Sequence, residues 1–240
     1  MNLKNVISKI KNGVAVSTNF AVDMICPKIC IICGGFADAG SSMSLCRICR
    51  TAVHKFGKSS VDDRVAYEEA VCALEYDNSV RDAMMRYKFG GKKYLYRTFA
   101  EVLLHKLENR SFMSEINTIC PVPLHPLRVR DYNQSALIAR YISEHTGKEY
   151  IEDLLIKTKN IRPLSTMNYT QRRQFVRNTM NPNFKYDLSG RSILIVDDIF
   201  TSGATISECA RILKIYGAHK VYAAAVCYAK PGEAVLITAD

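Results

Sequence analysis

Ile193-Leu194-Ile195-Val196-Asp197-Asp198-Ile199-Phe200-Thr201-Ser202-Gly203-Ala204-Thr205 is the stretch on which the fold turns. Four consecutive apolar residues, three of them β-branched, read as a strand over 192–196 buried on both faces, the habit of a parallel sheet covered by helices. Two carboxylates close that strand, and a run of small residues leads into a helix over 206–216 that stops at Gly217. Ligands of open α/β sheets sit at the carboxyl ends of the strands. Asp197 and Asp198 are therefore candidate ligand residues. The turn gathers backbone N–H groups and the hydroxyls of Thr201, Ser202 and Thr205, with Gly203 and Ala204 between them, at a helix N-terminus that suits a phosphate. Carboxylates repel an anion, so the pairing calls for a sugar phosphate whose hydroxyls donate to the acids while its phosphate occupies the turn. A plain strand–turn–helix would need only one capping carboxylate.

The same alternation runs through the rest of the chain. Strands are expected over 70–76, 118–122, 151–156 and 221–226. Helices are expected over 78–88, capped by Asp77 or Asn78, over 94–107, and over 133–145 ending at Gly147. Short apolar strands separated by helices predict an α/β domain with a parallel sheet and flanking helices. With 48% apolar residues in 240, a large core is available and wholesale disorder is excluded. No run approaches the ~20 apolar residues that span a bilayer. The expectation is a cytoplasmic protein without a membrane span.

Nine cysteines cannot all pair as disulfides. Four of them fall as Cys30-x2-Cys33 and Cys46-x2-Cys49 with 12 residues between the pairs, and Gly34, Gly35 and Gly40 offer sharp turns between them. Two thiolates two residues apart can bite one metal, and a second such pair closes a tetrahedron, so a structural Zn2+ site is expected there. Cys26, four residues ahead of Cys30, is either a replacement for Cys30 as ligand or a spare thiol, and Cys72, Cys120, Cys209 and Cys227 lie in apolar runs where buried free cysteine is ordinary. Gly57-Lys58-Ser59-Ser60 reads as a linker, and residues 1–23 as a short amphipathic helix with a tail.

The net charge of +10 suits an anionic partner: nucleic acid, a phosphorylated metabolite or a membrane surface. Between residues 154 and 186 stand Lys157, Lys159, Arg162, Arg172, Arg173, Arg177 and Lys185 with no acid. Tyr169, Phe175 and Phe184 are interleaved as stacking platforms for bases, and Lys28, Arg47, Arg50, Lys55 and Lys58 add charge near the cysteines.

The acid-and-turn run matches the phosphoribosyl pyrophosphate (PRPP) motif of type I phosphoribosyltransferases. Joined to the cysteine pairs, it makes the chain resemble the ComF family, competence-associated proteins with a zinc knuckle in front of such a domain. Tyr87-Lys88-Phe89, Cys120-Pro121-Val122-Pro123-Leu124-His125 and Arg130-Asp131-Tyr132-Asn133-Gln134 extend the likeness over most of residues 25–230. The resemblance implies a type I phosphoribosyltransferase-like fold with a hood, arranged as an N-terminal helix or tail (1–24), a zinc-knuckle module (25–57) and the transferase-like domain (58–240). It implies that Asp197 and Asp198 hold ribose hydroxyls and that residues 201–205 hold the 5′-phosphate. His125, Arg128 and Arg130 would contact pyrophosphate together with Mg2+. The basic hood, with Arg162, Arg172, Arg173 and Arg177, would close over the ligand or bind single-stranded DNA. The implied role is DNA uptake in natural competence, with proteins of the uptake machinery as partners; the alternative is phosphoribosyl transfer to an acceptor that the sequence does not name. Two departures bear on catalysis: Asp131 stands where the family usually has glycine, and residues 173–178 match the hood element only loosely.

Overall fold

The structure, a computed structural model, describes residues 28–38, 43–55, 58–60, 65–124, 132–158 and 176–230. Helix α1 (Arg47–Lys55) follows the second cysteine pair and leads into strand β1 (Lys58–Ser60). Strand β2 (Ala70–Glu75), helix α2 (Asn78–Phe89), helix α3 (Tyr96–Leu107), strand β3 (Thr118–Pro121) and helix α4 (Gln134–Thr146) come next. The short strands β4 (Glu149–Tyr150), β5 (Leu155–Lys157) and β6 (Met180–Pro182) precede strand β7 (Ser192–Phe200), helix α5 (Ala204–Ile215) and strand β8 (Lys220–Tyr228). The main sheet has the order β1-β2-β8-β7-β3-β4, parallel throughout except for the antiparallel edge strand β1. Strands β5 and β6 form a separate antiparallel ribbon.

Apolar residues on both faces of each central strand build two cores. Leu194 and Val196 of β7 pack on one side with Met84, Tyr87, Phe99 and Leu103 from α2 and α3 and with Ile138 from α4. Ile193 and Ile195 pack on the other with Ile206, Cys209 and Leu213 of α5 and with Met180. Each of these side chains removed from water contributes about 1.5–3 kcal/mol. Helix α2 presents Val80, Ala83, Met84 and Tyr87, a stripe at helical spacing, and is capped by Asp77, whose carboxylate accepts the Val80 N–H at 2.8 Å. It ends at Gly90, where a Cβ would lie 2.8 Å from the Arg86 carbonyl oxygen. Helix α4 is capped by Asn133 and stopped by Gly147, which adopts a left-handed φ of 67°.

Outside the acid-and-turn run, three expectations change. The expected linker at residues 57–60 contains β1, because an edge strand needs backbone pairing rather than apolar side chains, and polar residues suit an edge. The strand expected over 151–156 is shorter and leaves the sheet: β5 pairs only with β6, which places the two ends of the basic segment side by side. The helix expected over 94–107 opens with a 3-10 turn, Lys93–Leu95. The expected N-terminal helix at 1–23, together with Cys26 and Gly40, lies outside the described residues.

Asn133 joins two elements, since its side chain accepts from the Ser135 and Ala136 N–H groups and donates to the Val122 carbonyl at 3.1 Å. Asn133→Ala is expected to cost about 1–2 kcal/mol in urea unfolding, the loss of a good cap; an unchanged midpoint would contradict that role.

Candidate functional site

Strand β7 is paired unequally along its two edges. Its register with β8 runs from Ser192 to Phe200, whereas its register with β3 stops at Val196 opposite Pro121, followed by one bond from the Val122 N–H to the Val196 carbonyl. The acids therefore lie inside the strand, which continues two residues past Asp198, yet on the β3 side they have no ladder partner. The resemblance implies a pyrophosphate turn after β3, at residues that lie outside the described ones.

Both carboxylates are held. Asp197 Oδ1 accepts from the Ser135 hydroxyl at 2.9 Å and from the Asp198 N–H at 2.8 Å. Asp198 is buried, and its Oδ1 meets the Lys88 ammonium at 2.9 Å in an ion pair whose side chains are 11% and 8% exposed respectively. Burial and the neighbouring Asp198 carboxylate push the Asp197 carboxyl well above its usual range, against the pull of Lys88 and the two hydrogen bonds. Lys88 and Ser135 were not assigned to the site from sequence. They reach it from 110 and 62 residues away, separations that carry no local signal. The stretches quoted for the resemblance do meet here. The Tyr87 hydroxyl donates to the Gln134 carbonyl at 2.8 Å, the Gln134 amide donates to the Lys88 carbonyl at 3.4 Å, and the Tyr132 hydroxyl donates to the Tyr87 carbonyl.

Beyond Phe200 the chain turns through Thr201 and Ser202 to Gly203, the first cap of α5, with φ of 69°. A Cβ there would meet the Phe200 ring at 2.7 Å as well as suffering the left-handed backbone, so only glycine fits without a shift. The helix starts at Ala204, two residues earlier than expected, which puts Ala204 and Thr205 in its first turn. No side chain caps the helix from Gly203; the Ser202 hydroxyl approaches the Ala204 N–H at 3.4 Å. The turn has the backbone donors and hydroxyls that an anion would use.

The basic segment is pinned at its far end. Asn178, at φ 57°, donates its N–H to Glu208 of α5 at 2.8 Å, and Arg211 grips the same carboxylate from the next helical turn. Arg177 is exposed beside this anchor. Two expected contributors are otherwise engaged: Lys185 pairs with Asp153 at 2.5 Å, and Phe184 packs edge-on against Tyr216 at the end of α5 remote from the acids. His125, Arg128, Arg130, Arg162, Arg172 and Arg173 lie outside the described residues, as do Tyr169 and Phe175.

Cys30, Cys33, Cys46 and Cys49 come together, with all four sulfur atoms within 4.8 Å of one another. Cys33 and Cys46 Sγ are 3.7 Å apart, close to the ~3.8 Å edge of a tetrahedron with 2.3 Å metal–sulfur bonds. The first pair sits on a turn closed by Cys30 N–H to the Gly35 carbonyl at 2.7 Å, with Gly34 at φ 75°. The second opens α1, where the Cys49 N–H points at Cys46 Sγ at 3.5 Å. Burial raises the Cys30 thiol, but N–H groups of Cys33, Cys46 and Ile32 outweigh it and bring the thiol down to about 7. The cluster could hold a metal ion such as zinc. It is not a detached bead: Arg86 of α2 donates to the Ile31 carbonyl at 2.5 Å, and Leu45 and Val53 belong to the core of α2 and α3.

The Phosphoribosyl transferase domain family matches residues 163–239. The chain is 21% identical over 199 residues to Competence protein F of Haemophilus influenzae, across 79% of this chain and 87% of that protein. It is 31% identical over 150 residues to Competence protein ComFC of Streptococcus pneumoniae, across 61% and 62% of the two chains. A third relative, DNA utilization protein YhgH of Escherichia coli, is 25% identical over 168 residues, across 67% and 72%.

The two acids should differ in what their removal does to stability. The native state holds the Asp197 proton more tightly than the unfolded chain, so this group's contribution becomes less favourable as pH rises above its ordinary value and levels off above its native one. Asp197→Asn is expected to stabilise the protein by about 1–2 kcal/mol at pH 8 and much less at pH 4. Asp198→Asn leaves Lys88 buried without its countercharge and is expected to cost about 3 kcal/mol. Thermal unfolding of both variants at the two pH values checks the opposite signs.

Proposed function

The chain belongs to the ComF family and carries a type I phosphoribosyltransferase fold behind a cysteine module, and from that premise we propose that it binds PRPP with Mg2+ and single-stranded DNA in DNA uptake. The observation that carries the reading is the acid pair on the open edge of β7, one turn ahead of the Gly203 helix start. In this reading Asp197 and Asp198 accept the ribose hydroxyls, and the turn from Thr201 to Thr205 receives the 5′-phosphate. His125, Arg128 and Arg130 face the diphosphate, whose dispersed charge suits arginine forks. Mg2+ bound with the diphosphate would neutralise part of that charge. Transfer of the phosphoribosyl group to an acceptor is the second reading, favoured by the complete acid-and-turn arrangement. Pyrophosphate release in the presence of candidate bases would support it.

Losing a charged hydrogen-bond partner costs about 1.5–3 kcal/mol, so the double variant Asp197→Asn, Asp198→Asn is expected to bind PRPP at least tenfold more weakly in calorimetry. Equal affinity in the folded variant would remove the acids from the ligand site.

We assign Zn2+ to Cys30, Cys33, Cys46 and Cys49. Sites of this kind supply about 10–16 kcal/mol of apparent binding energy to local folding. Elemental analysis is expected to find one zinc per chain. Chelation or Cys46→Ser is expected to unfold residues 28–55 while the sheet stays folded at a lower melting temperature. Zinc far below one per chain rejects the assignment.

The DNA surface in this proposal is formed by Arg162, Arg172, Arg173 and Arg177 of the hood, with the basic residues around the cysteine module. Phosphate contacts release counterions, so log affinity for an oligonucleotide should fall with log salt at about 0.7 per neutralised phosphate. Arg172→Glu with Arg173→Glu is expected to weaken binding and flatten that slope. No anisotropy change at low salt and micromolar protein would leave PRPP as the sole ligand. Proteins of the uptake machinery complete the proposed set of partners.

A further inference from the structure

Each carboxylate of the acid pair has one oxygen already engaged. Asp197 Oδ1 is occupied by Ser135 and the Asp198 N–H, and Asp198 Oδ1 by Lys88. Neither Oδ2 has a hydrogen-bond or ion-pair partner among the described residues. The acids therefore present two acceptor oxygens on adjacent residues, and the engaged oxygens fix how each carboxylate is turned.

We infer that Lys88 is a positioning residue that sets sugar specificity: by holding Asp198 Oδ1 it aims the remaining Asp198 oxygen, beside the Asp197 oxygen that Ser135 and the Asp198 N–H orient, at one of the two hydroxyls of a vicinal diol, and so selects a ribose 5-phosphate group over its 2-deoxy counterpart. The inference rests on the acids being the ribose subsite, as proposed above. A sugar lacking the 2-hydroxyl would satisfy one acceptor and leave the other desolvated and unpaired. Sites built to bond a hydroxyl reject analogues without it far more strongly than apolar pockets reject a missing methylene.

Lys88 is itself held from two directions. Its carbonyl receives the Gln134 amide, and the preceding residue, Tyr87, is tied to α4 through its hydroxyl and to Tyr132 through its carbonyl. The helix stops two residues later at Gly90. The ammonium thus approaches Asp198 from a fixed helix end. The other titratable groups facing the acids stay neutral around pH 7. Burial raises the Tyr76 hydroxyl to about 12, and it raises Tyr87 of α2, Cys227 of β8 and Cys209 of α5 well above their ordinary values. Among the described residues, the charge acting on Asp198 at contact distance is that of Lys88.

Calorimetry of the full chain with ribose 5-phosphate and with 2-deoxyribose 5-phosphate tests this without metal. The wild type is expected to bind the ribo form at least about tenfold more tightly. In K88Q that preference should fall below about threefold, while K88R, which retains a cation donor, should keep most of it. The deficit of K88Q against wild type in ribose 5-phosphate affinity should narrow from pH 7 to pH 9, because acids deprived of their cation ionise later and a purely structural defect would not track pH. An unchanged ribo preference in folded K88Q overturns the role of Lys88 and leaves the PRPP reading standing. A wild type that binds neither PRPP nor ribose 5-phosphate overturns both. If thermal unfolding shows K88Q to be unfolded, K88R decides: loss of the preference in folded K88R rejects the inference.

Discussion

Two adjacent carboxylates inside a buried strand repel each other and lose their water. Much of the surrounding architecture answers that cost. An ionised carboxylate in a poorly solvated place survives only with a countercharge and donors around it. Lys88 brings the end of α2 to Asp198, Ser135 brings the first turn of α4 to Asp197, and the backbone N–H between the acids supplies a third donor. Those same two helix ends are tied together by the Tyr87 hydroxyl on the Gln134 carbonyl and by the Tyr132 hydroxyl on the Tyr87 carbonyl. The elements that line the site are thus those that make its charge tolerable.

The cysteine module enters the same framework through packing. Leu45, Val53 and Cys30 belong to the core that covers one face of the sheet, and the Ile31 carbonyl is held by Arg86. A bound metal would stiffen a loop whose backbone is already clamped onto α2. The two ends of the basic segment are held differently, in a two-stranded ribbon and by the Asn178–Glu208–Arg211 contact, outside the main sheet.

The sequence was informative wherever a feature is local. Four apolar residues before Asp197 announced β7, the pair Asp77 and Asn78 announced the start of α2, Asn133 that of α4, and Gly147 the end of α4, because caps and strand burial are read within a few residues. The cysteine spacing likewise identified four thiols that do converge. Strand ends were less legible. The strand β7 continues to Phe200 because β8 extends alongside it, a tertiary fact with no trace in residues 197–200 themselves. The edge strand β1 was missed because its polar residues read as linker, and the isolation of β5 because apolar pattern does not say which sheet a strand joins. Lys88 illustrates the same limit in the site. Its stretch carried the family resemblance, but its partner lies 110 residues away.

Arg86 and Lys88 stand two positions apart on α2, about 200° around the helix at 3.6 residues per turn. One grips the cysteine loop and the other the acid pair. The helix is therefore a partition wall with fittings on both sides, and the two centres lie on opposite sides of it. Modular exchange is hard in such a layout. Replacing the cysteine module with an unrelated N-terminal domain would strip the outer face of this wall, so the two centres are expected to be inherited as a unit.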